Sequence, residues 1–82
     1  MPTFFIDTFD EDLFVRDEDG CDYADVEVAK QAAVNVLPDM ARDTLPDGDS
    51  RTFLAIVRGE DGQALLQASL RLQVTSLAFK NG

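Results

Sequence analysis

Ala64-Leu65-Leu66-Gln67-Ala68-Ser69-Leu70-Arg71-Leu72-Gln73-Val74-Thr75 decides the fold. Ala64, Leu66, Ala68, Leu70, Leu72 and Val74 alternate with Gln67, Ser69, Arg71, Gln73 and Thr75. Successive side chains of an extended chain point to opposite faces, so this pattern predicts a strand with one dry and one wet face. Upstream, Gly59-Glu60-Asp61-Gly62 reads as a hairpin turn and Thr52 to Arg58 as the strand that enters it.

Further upstream the period changes. Ala29, Ala33, Val36, Met40 and Thr44 recur at steps of three and four, with Ala32 and Leu37 widening the stripe. Lys30, Gln31, Asp39, Arg42 and Asp43 fall mostly opposite, which predicts an amphipathic helix of about five turns. Asp25 is placed to cap its N-terminus. Pro38 removes one backbone hydrogen bond and crowds the preceding turn, so a kink or a break into two helices is expected there. Pro46-Asp47-Gly48-Asp49 ends the element.

At the N-terminal end, Thr3-Phe4-Phe5-Ile6-Asp7-Thr8-Phe9 is aromatic and β-branched and runs into the acidic turn Asp10-Glu11-Asp12. Leu13-Phe14-Val15-Arg16 completes a hairpin, and Asp17-Glu18-Asp19-Gly20 turns the chain toward the helix. The order is ββαββ. It predicts an α+β fold, a four-stranded antiparallel sheet with one helix on one face. Residues 1–75 form this single domain, and 76–82 are expected to fray.

Val15-Arg16-Asp17-Glu18-Asp19-Gly20 and Val57-Arg58-Gly59-Glu60-Asp61-Gly62 share the pattern Val-Arg-x-Glu-Asp-Gly, as two similar strand-exit turns would. The opening Pro2-Thr3-Phe4-Phe5-Ile6-Asp7-Thr8-Phe9-Asp10 and these two turns carry a resemblance. Across residues 2–75 the chain resembles a family of short uncharacterised bacterial domains. Those domains begin Pro-x-aromatic-Phe-Phe-Asp, pass an Arg-Asp-Glu-x-Gly turn and an alanine-rich helix, and reach a Val-Arg-Asp-x-x-Gly hairpin. This chain departs from them with Gly59 where aspartate is common, and with Asp10-Glu11-Asp12 where Asp-Gly is common. The resemblance implies no activity and no catalytic residue.

Charge narrows the function classes. The net charge is −9, and residues 1–25 hold nine acids against Arg16 alone, whereas residues 26–82 hold seven acids and six bases. Such a chain repels nucleic-acid phosphates and anionic lipid, so neither nucleic acid nor membrane is an expected partner. There is no histidine, and Cys21 is the sole cysteine. Zinc sites, Ser-His or Cys-His nucleophiles and an internal disulfide therefore lack their residues. The calcium-loop register starting at Asp17 fails, because Cys21 falls where an acid is needed and Asp22 where glycine is needed. No glycine-rich phosphate loop is present. No catalytic, cofactor or metal residue is assigned. The N-terminus lacks the basic start and long apolar run of a signal peptide, no apolar run nears the ~20 residues of a membrane span, and a lone cysteine suits a reducing compartment. Cytoplasmic is the expected location.

The apolar surplus says more. One helix shields one side of the sheet, yet Phe4 and Ile6 oppose Phe5 and Phe9, Phe53, Ala55 and Val57 oppose Leu54 and Ile56, and Phe14 opposes Leu13 and Val15. Each large side chain left in water forgoes about 1.5–3 kcal/mol. Loops, helix ends and the segment 75–80 with Leu77 and Phe79 could cover the remainder. Alternatively, Phe5, Phe9, Phe14, Leu54 and Ile56 form an interface with a second copy or another protein. The leading expectation is thus a non-catalytic accessory module, homodimeric or protein-binding. A second uses Asp10, Glu11, Asp12, Asp17, Glu18, Asp19 and Asp22 as an acidic patch that mimics nucleic acid and inhibits a DNA-binding protein. A third, an unrecognised small enzyme, would need a buried carboxylate of raised pKa in a pocket.

Overall fold

The computed structural model describes residues 2–11, 13–43, 50–75 and 77. Its elements are β1 (Thr3–Asp10), β2 (Leu13–Val15), β3 (Cys21–Asp22), α1 (Val26–Asp43), β4 (Ser50–Arg58) and β5 (Ala64–Gln73). The strands form one antiparallel sheet in the order β2-β1-β4-β5, with β3 paired to the start of β1. The α+β class and the ββαββ order are as the sequence predicts. The addition is β3, a two-residue strand whose Cys21 pairs with Phe4 and Asp22 with Thr3.

Register explains the burial. Ile6 lies opposite Val57, and Val57 opposite Leu66; Thr8, Ala55 and Ala68 form the next row, and Asp10, Phe53 and Leu70 the one after. This side meets the helix. Its core is Phe4, Phe53, Ala55 and Val57 against Ala29, Ala33 and Leu37, with Phe53 only 1% exposed. The small side chains of Ala29, Ala33 and Ala55, all fully buried, let helix and sheet backbones approach closely. Asp25 caps α1: its side chain accepts the Val28 N–H at 3.0 Å and its carbonyl the Ala29 N–H at 3.2 Å.

Pro38 does not split the helix, which runs unbroken from Val26 to Asp43. Pro38 and Val34, whose carbonyl would have accepted the missing N–H, are both exposed, so water can replace the lost bond. Glu11, just after β1, has a positive φ of 42° and its carboxylate accepts the Thr52 N–H at 2.8 Å. Gly62 takes the left-handed conformation that closes the β4–β5 hairpin, with a φ of 87°. The expectations for Thr44, the 46–49 stop, Asp12 and the tail at 76 and 78–82 lie outside the described residues; Leu77 is exposed.

Candidate functional site: the open face of the sheet

The side of the sheet away from the helix carries Phe5, Asp7 and Phe9 from β1, Leu54, Ile56 and Arg58 from β4, and Phe14 from β2. Strand register groups them in rows: Phe5 with Arg58, Asp7 with Ile56, and Phe14 with Phe9 and Leu54. The row continues on β5 with Ser69 opposite Leu54 and Gln67 opposite Ile56. The five apolar residues singled out in the sequence therefore share one face. Their surroundings differ along it.

At the Phe5 end the face is polar and closed. Asp7 is 5% exposed. Arg58 grips it with two bonds, Nε to Oδ2 at 2.7 Å and Nη2 to Oδ1 at 3.1 Å, and gives Nη2 also to the Asp17 carbonyl at 2.8 Å. The same guanidinium stacks 4.9 Å from the Phe5 ring centroid. The Asp17 N–H donates to Asp7 Oδ1 at 2.9 Å. The Asp17 carboxylate in turn accepts the N–H groups of Ile6 (3.0 Å), Asp19 (3.2 Å) and Gly20 (3.0 Å). Asp17 thus folds its own loop and fastens it to β1. Gly20 has a φ of +70°, and a Cβ there would sit 2.8 Å from Phe5 and Thr3 side-chain carbons, so the loop needs glycine at this point.

Burial alone would raise the Asp7 carboxyl, but the Arg58 hydrogen bond, the Asp17 N–H and the charges of Arg58 and Arg16 outweigh it and hold the group below the ordinary aspartate value. Asp17 follows the same logic: burial and the Asp7 charge push up, and the Gly20, Ile6 and Asp19 amides pull it lower. This is a buried carboxylate shifted in the opposite direction from a general acid. Beside it a cleft of about 430 Å³ is lined by both Val-Arg-x-Glu-Asp-Gly turns, with Arg16 and Glu18 from the first and Arg58, Glu60 and Asp61 from the second. Glu60 already accepts the Thr3 N–H at 3.2 Å, and Asp61 the Gln63 N–H at 3.0 Å.

The opposite end is apolar and open. Phe9 is 39% exposed and Phe14 52%, their rings meeting edge to face with centroids 6.0 Å apart. Leu54 and Ile56 are half-buried beside them. The sequence left open whether loops and the tail cover these groups. The Arg16–Gly20 loop covers the Phe5 end, and nothing among the described residues covers Phe9 and Phe14.

The acidic residues are largely engaged by the fold. Asp10 pairs with Arg51 at 3.2 Å, Glu11 holds the Thr52 N–H, and Asp22 accepts the Thr3 hydroxyl at 2.7 Å. Glu18 and Asp19 are exposed at the loop, and Asp12 lies outside the described residues. Among the described residues no group of three or more Cys, Asp or Glu is arranged to hold a metal ion, and no helix is long and apolar enough to cross a membrane. In the sequence Asp17 reads as a turn residue and a member of an acidic patch, and its pattern assigns no role to Asp7 or Arg58. A signal was there: Asp7 is the one charge inside an aromatic strand, and Arg58 ends an apolar one.

The unit built this way, from the first residue of β1 into β5, is also the stretch recognised by comparison: a family described as a domain of unknown function, DUF6894, matches residues 3–71. The chain belongs to the DUF6894 family. That agrees with the resemblance to uncharacterised domains read from its opening and turns. No curated protein and no solved structure matches the chain. The Asp7–Arg58–Asp17 assembly and both turns lie within the DUF6894 match, as do Phe9, Phe14, Leu54 and Ile56.

Proposed function

We propose that this DUF6894 domain is a non-catalytic protein-binding module that acts as a homodimer, with the apolar end of its open face as the contact surface for a partner protein. The observation that carries this reading is the exposed Phe9–Phe14 pair, with Leu54 half-buried beside it, on a face the helix does not shield. An aromatic pair presented on a rigid sheet offers large contact area at little entropic cost. The polar end supports the non-catalytic half of the reading. Asp7 and Arg58 spend their hydrogen bonds on each other and on Asp17, so neither is poised to move a proton or hold a substrate. A cytoplasmic setting goes with an exposed lone Cys21 thiol. The nucleic-acid-mimic reading has less support, because Asp10, Glu11, Asp17 and Asp22 are tied to partners within the fold and are not free to copy a phosphate array.

Site-specific photo-crosslinking in the native cell tests the surface. With p-benzoylphenylalanine in place of Phe14, a discrete protein adduct should form. With the same group in place of Asn35, exposed on α1, it should not. Equal or absent crosslinking at both positions would remove the open face as the working surface.

A further inference from the structure

We propose that the outer edge of β5 is where the second copy of this chain joins, strand to antiparallel strand across a twofold axis, giving one continuous sheet that is eight strands wide, with β3 of each copy beside its own β1. This deepens the homodimer part of the reading above and rests on it.

The two edges of the sheet are treated differently. On the β1 side, every part of the edge has a partner. β3 pairs with Thr3 and Phe4, the Asp17 carboxylate takes the Ile6 N–H, and β2 pairs with Thr8 through Asp10. Beyond lies β2, three residues long, flanked by Glu11 on one side and by Arg16, Asp17 and Glu18 on the other. Short edges and flanking charge are the devices that keep a sheet from adding strands. The β5 edge is longer and carries less charge along its length. It is ten residues long, contains no proline and has Arg71 as its one charge. Among the described residues β5 pairs with β4 alone. Leu65 and Leu70 are exposed along it.

Symmetry and charge both select a second copy as the occupant. A twofold axis perpendicular to the sheet returns each side chain to its own side. Leu66, Ala68, Leu70 and Leu72 of the two copies then share the helix side, and Gln67, Ser69 and Arg71 share the open side, in any register such an axis allows. The chain's charge of −9 opposes self-association in general, but Asp17, Glu18, Asp19 and Asp22, in the loop and strand that follow β2, lie on the β2 side of the sheet. In the order β2-β1-β4-β5-β5-β4-β1-β2 the two acidic edges stand about 34 Å apart at roughly 4.8 Å per strand, several times the Debye length of about 8 Å in physiological salt. Joining at β2 would instead set them side by side. Edge pairing also leaves both open faces on the same side, so the two Phe9–Phe14 pairs flank one continuous surface.

Sedimentation velocity over a concentration range, with hydrogen exchange at its two ends, tests the assignment on the full chain. The expected result is a dimer whose β5 amides gain protection as concentration rises, and whose dissociation constant increases about tenfold or more in Ser69→Lys, which sets two ammonium groups near the axis. Circular dichroism should show Ser69→Lys folded, since Ser69 is exposed. A dimer that survives Ser69→Lys without β5 protection but is lost in Phe14→Asp would overturn the edge assignment and leave the homodimer standing. A monomer at every concentration would overturn both.

Discussion

At one end of the open face, Phe5, Asp7 and Arg58 lie beneath the Arg16–Gly20 loop; at the other, Phe9, four positions further along β1, and its β2 neighbour Phe14 face water. Both ends are built on β1 and β4, and neither is shielded by the helix. The difference is Asp17. Its carboxylate gathers three backbone N–H groups and its own N–H and carbonyl meet Asp7 and Arg58, so a loop that reads as a string of solvated acids becomes a lid over one end. No equivalent group reaches the Phe9 end from the described residues. Charged residues here do structural work, and aromatic residues are left available for contact.

The largest effect should come from breaking the closed end. Asp7→Ala takes the carboxylate from the Arg58 guanidinium and the acceptor from the Asp17 N–H, and losing one partner of a sequestered, doubly hydrogen-bonded pair is strongly destabilising. A small domain has about 5–15 kcal/mol in all, so the unfolding midpoint in urea should fall steeply. A loss under about 1 kcal/mol would mean that the pair behaves like an ordinary surface bridge, and the contrast between the two ends would vanish.

Acid should open the closed end next. Asp7 and Asp17 are both held below the aspartate value of 3.8 in the folded chain. The unfolded state therefore binds more protons in acid. The stability these groups contribute is complete above that ordinary value and declines as pH falls through it toward the lower folded values. Urea midpoints measured from neutral pH to about pH 3 should show this decline. In Asp17→Asn the neutral-pH stability should be lower and the acid slope shallower. Parallel slopes in the two proteins would detach Asp17 from the acid response.

Much of this was legible along the chain and some of it was not. The alternation from Ala64 to Val74 and the Ala29–Ala33–Leu37 stripe carry their own periodicity, so sheet and helix follow from local patterns. Asp25 before Val26 marks the cap for the same reason. β3 has no pattern, since two residues cannot alternate; it exists because the Asp17 loop delivers Cys21 beside Phe4. The grip of Arg58 on Asp7 depends on a strand register linking positions 51 apart, which no local window contains. That Phe5 and Phe9 share one face of β1, and Leu54 and Ile56 one face of β4, follows from parity and was legible; that these sets and Phe14 coincide is fixed by register. That Phe5 is covered and Phe14 is not depends on where one loop lands.

Phe14→Asp should have the smallest effect on the fold and is the sharpest probe of the comparison. Phe14 is 52% exposed and its described contact is the edge-on ring of Phe9, an aromatic pair worth about 0.5–1.5 kcal/mol. Urea unfolding should therefore register a loss of about 1 kcal/mol or less, within the range of surface substitutions that remove a single contact. The loop, Asp7 and Arg58 lie on other rows and should keep their acid response unchanged. Binding should respond in the opposite proportion, because a carboxylate at the centre of an apolar contact must be desolvated without a partner. A variant that unfolds like Asp7→Ala would show Phe14 to be a core residue. It would then be the exposed end of the face, not the closed one, that holds this sheet together.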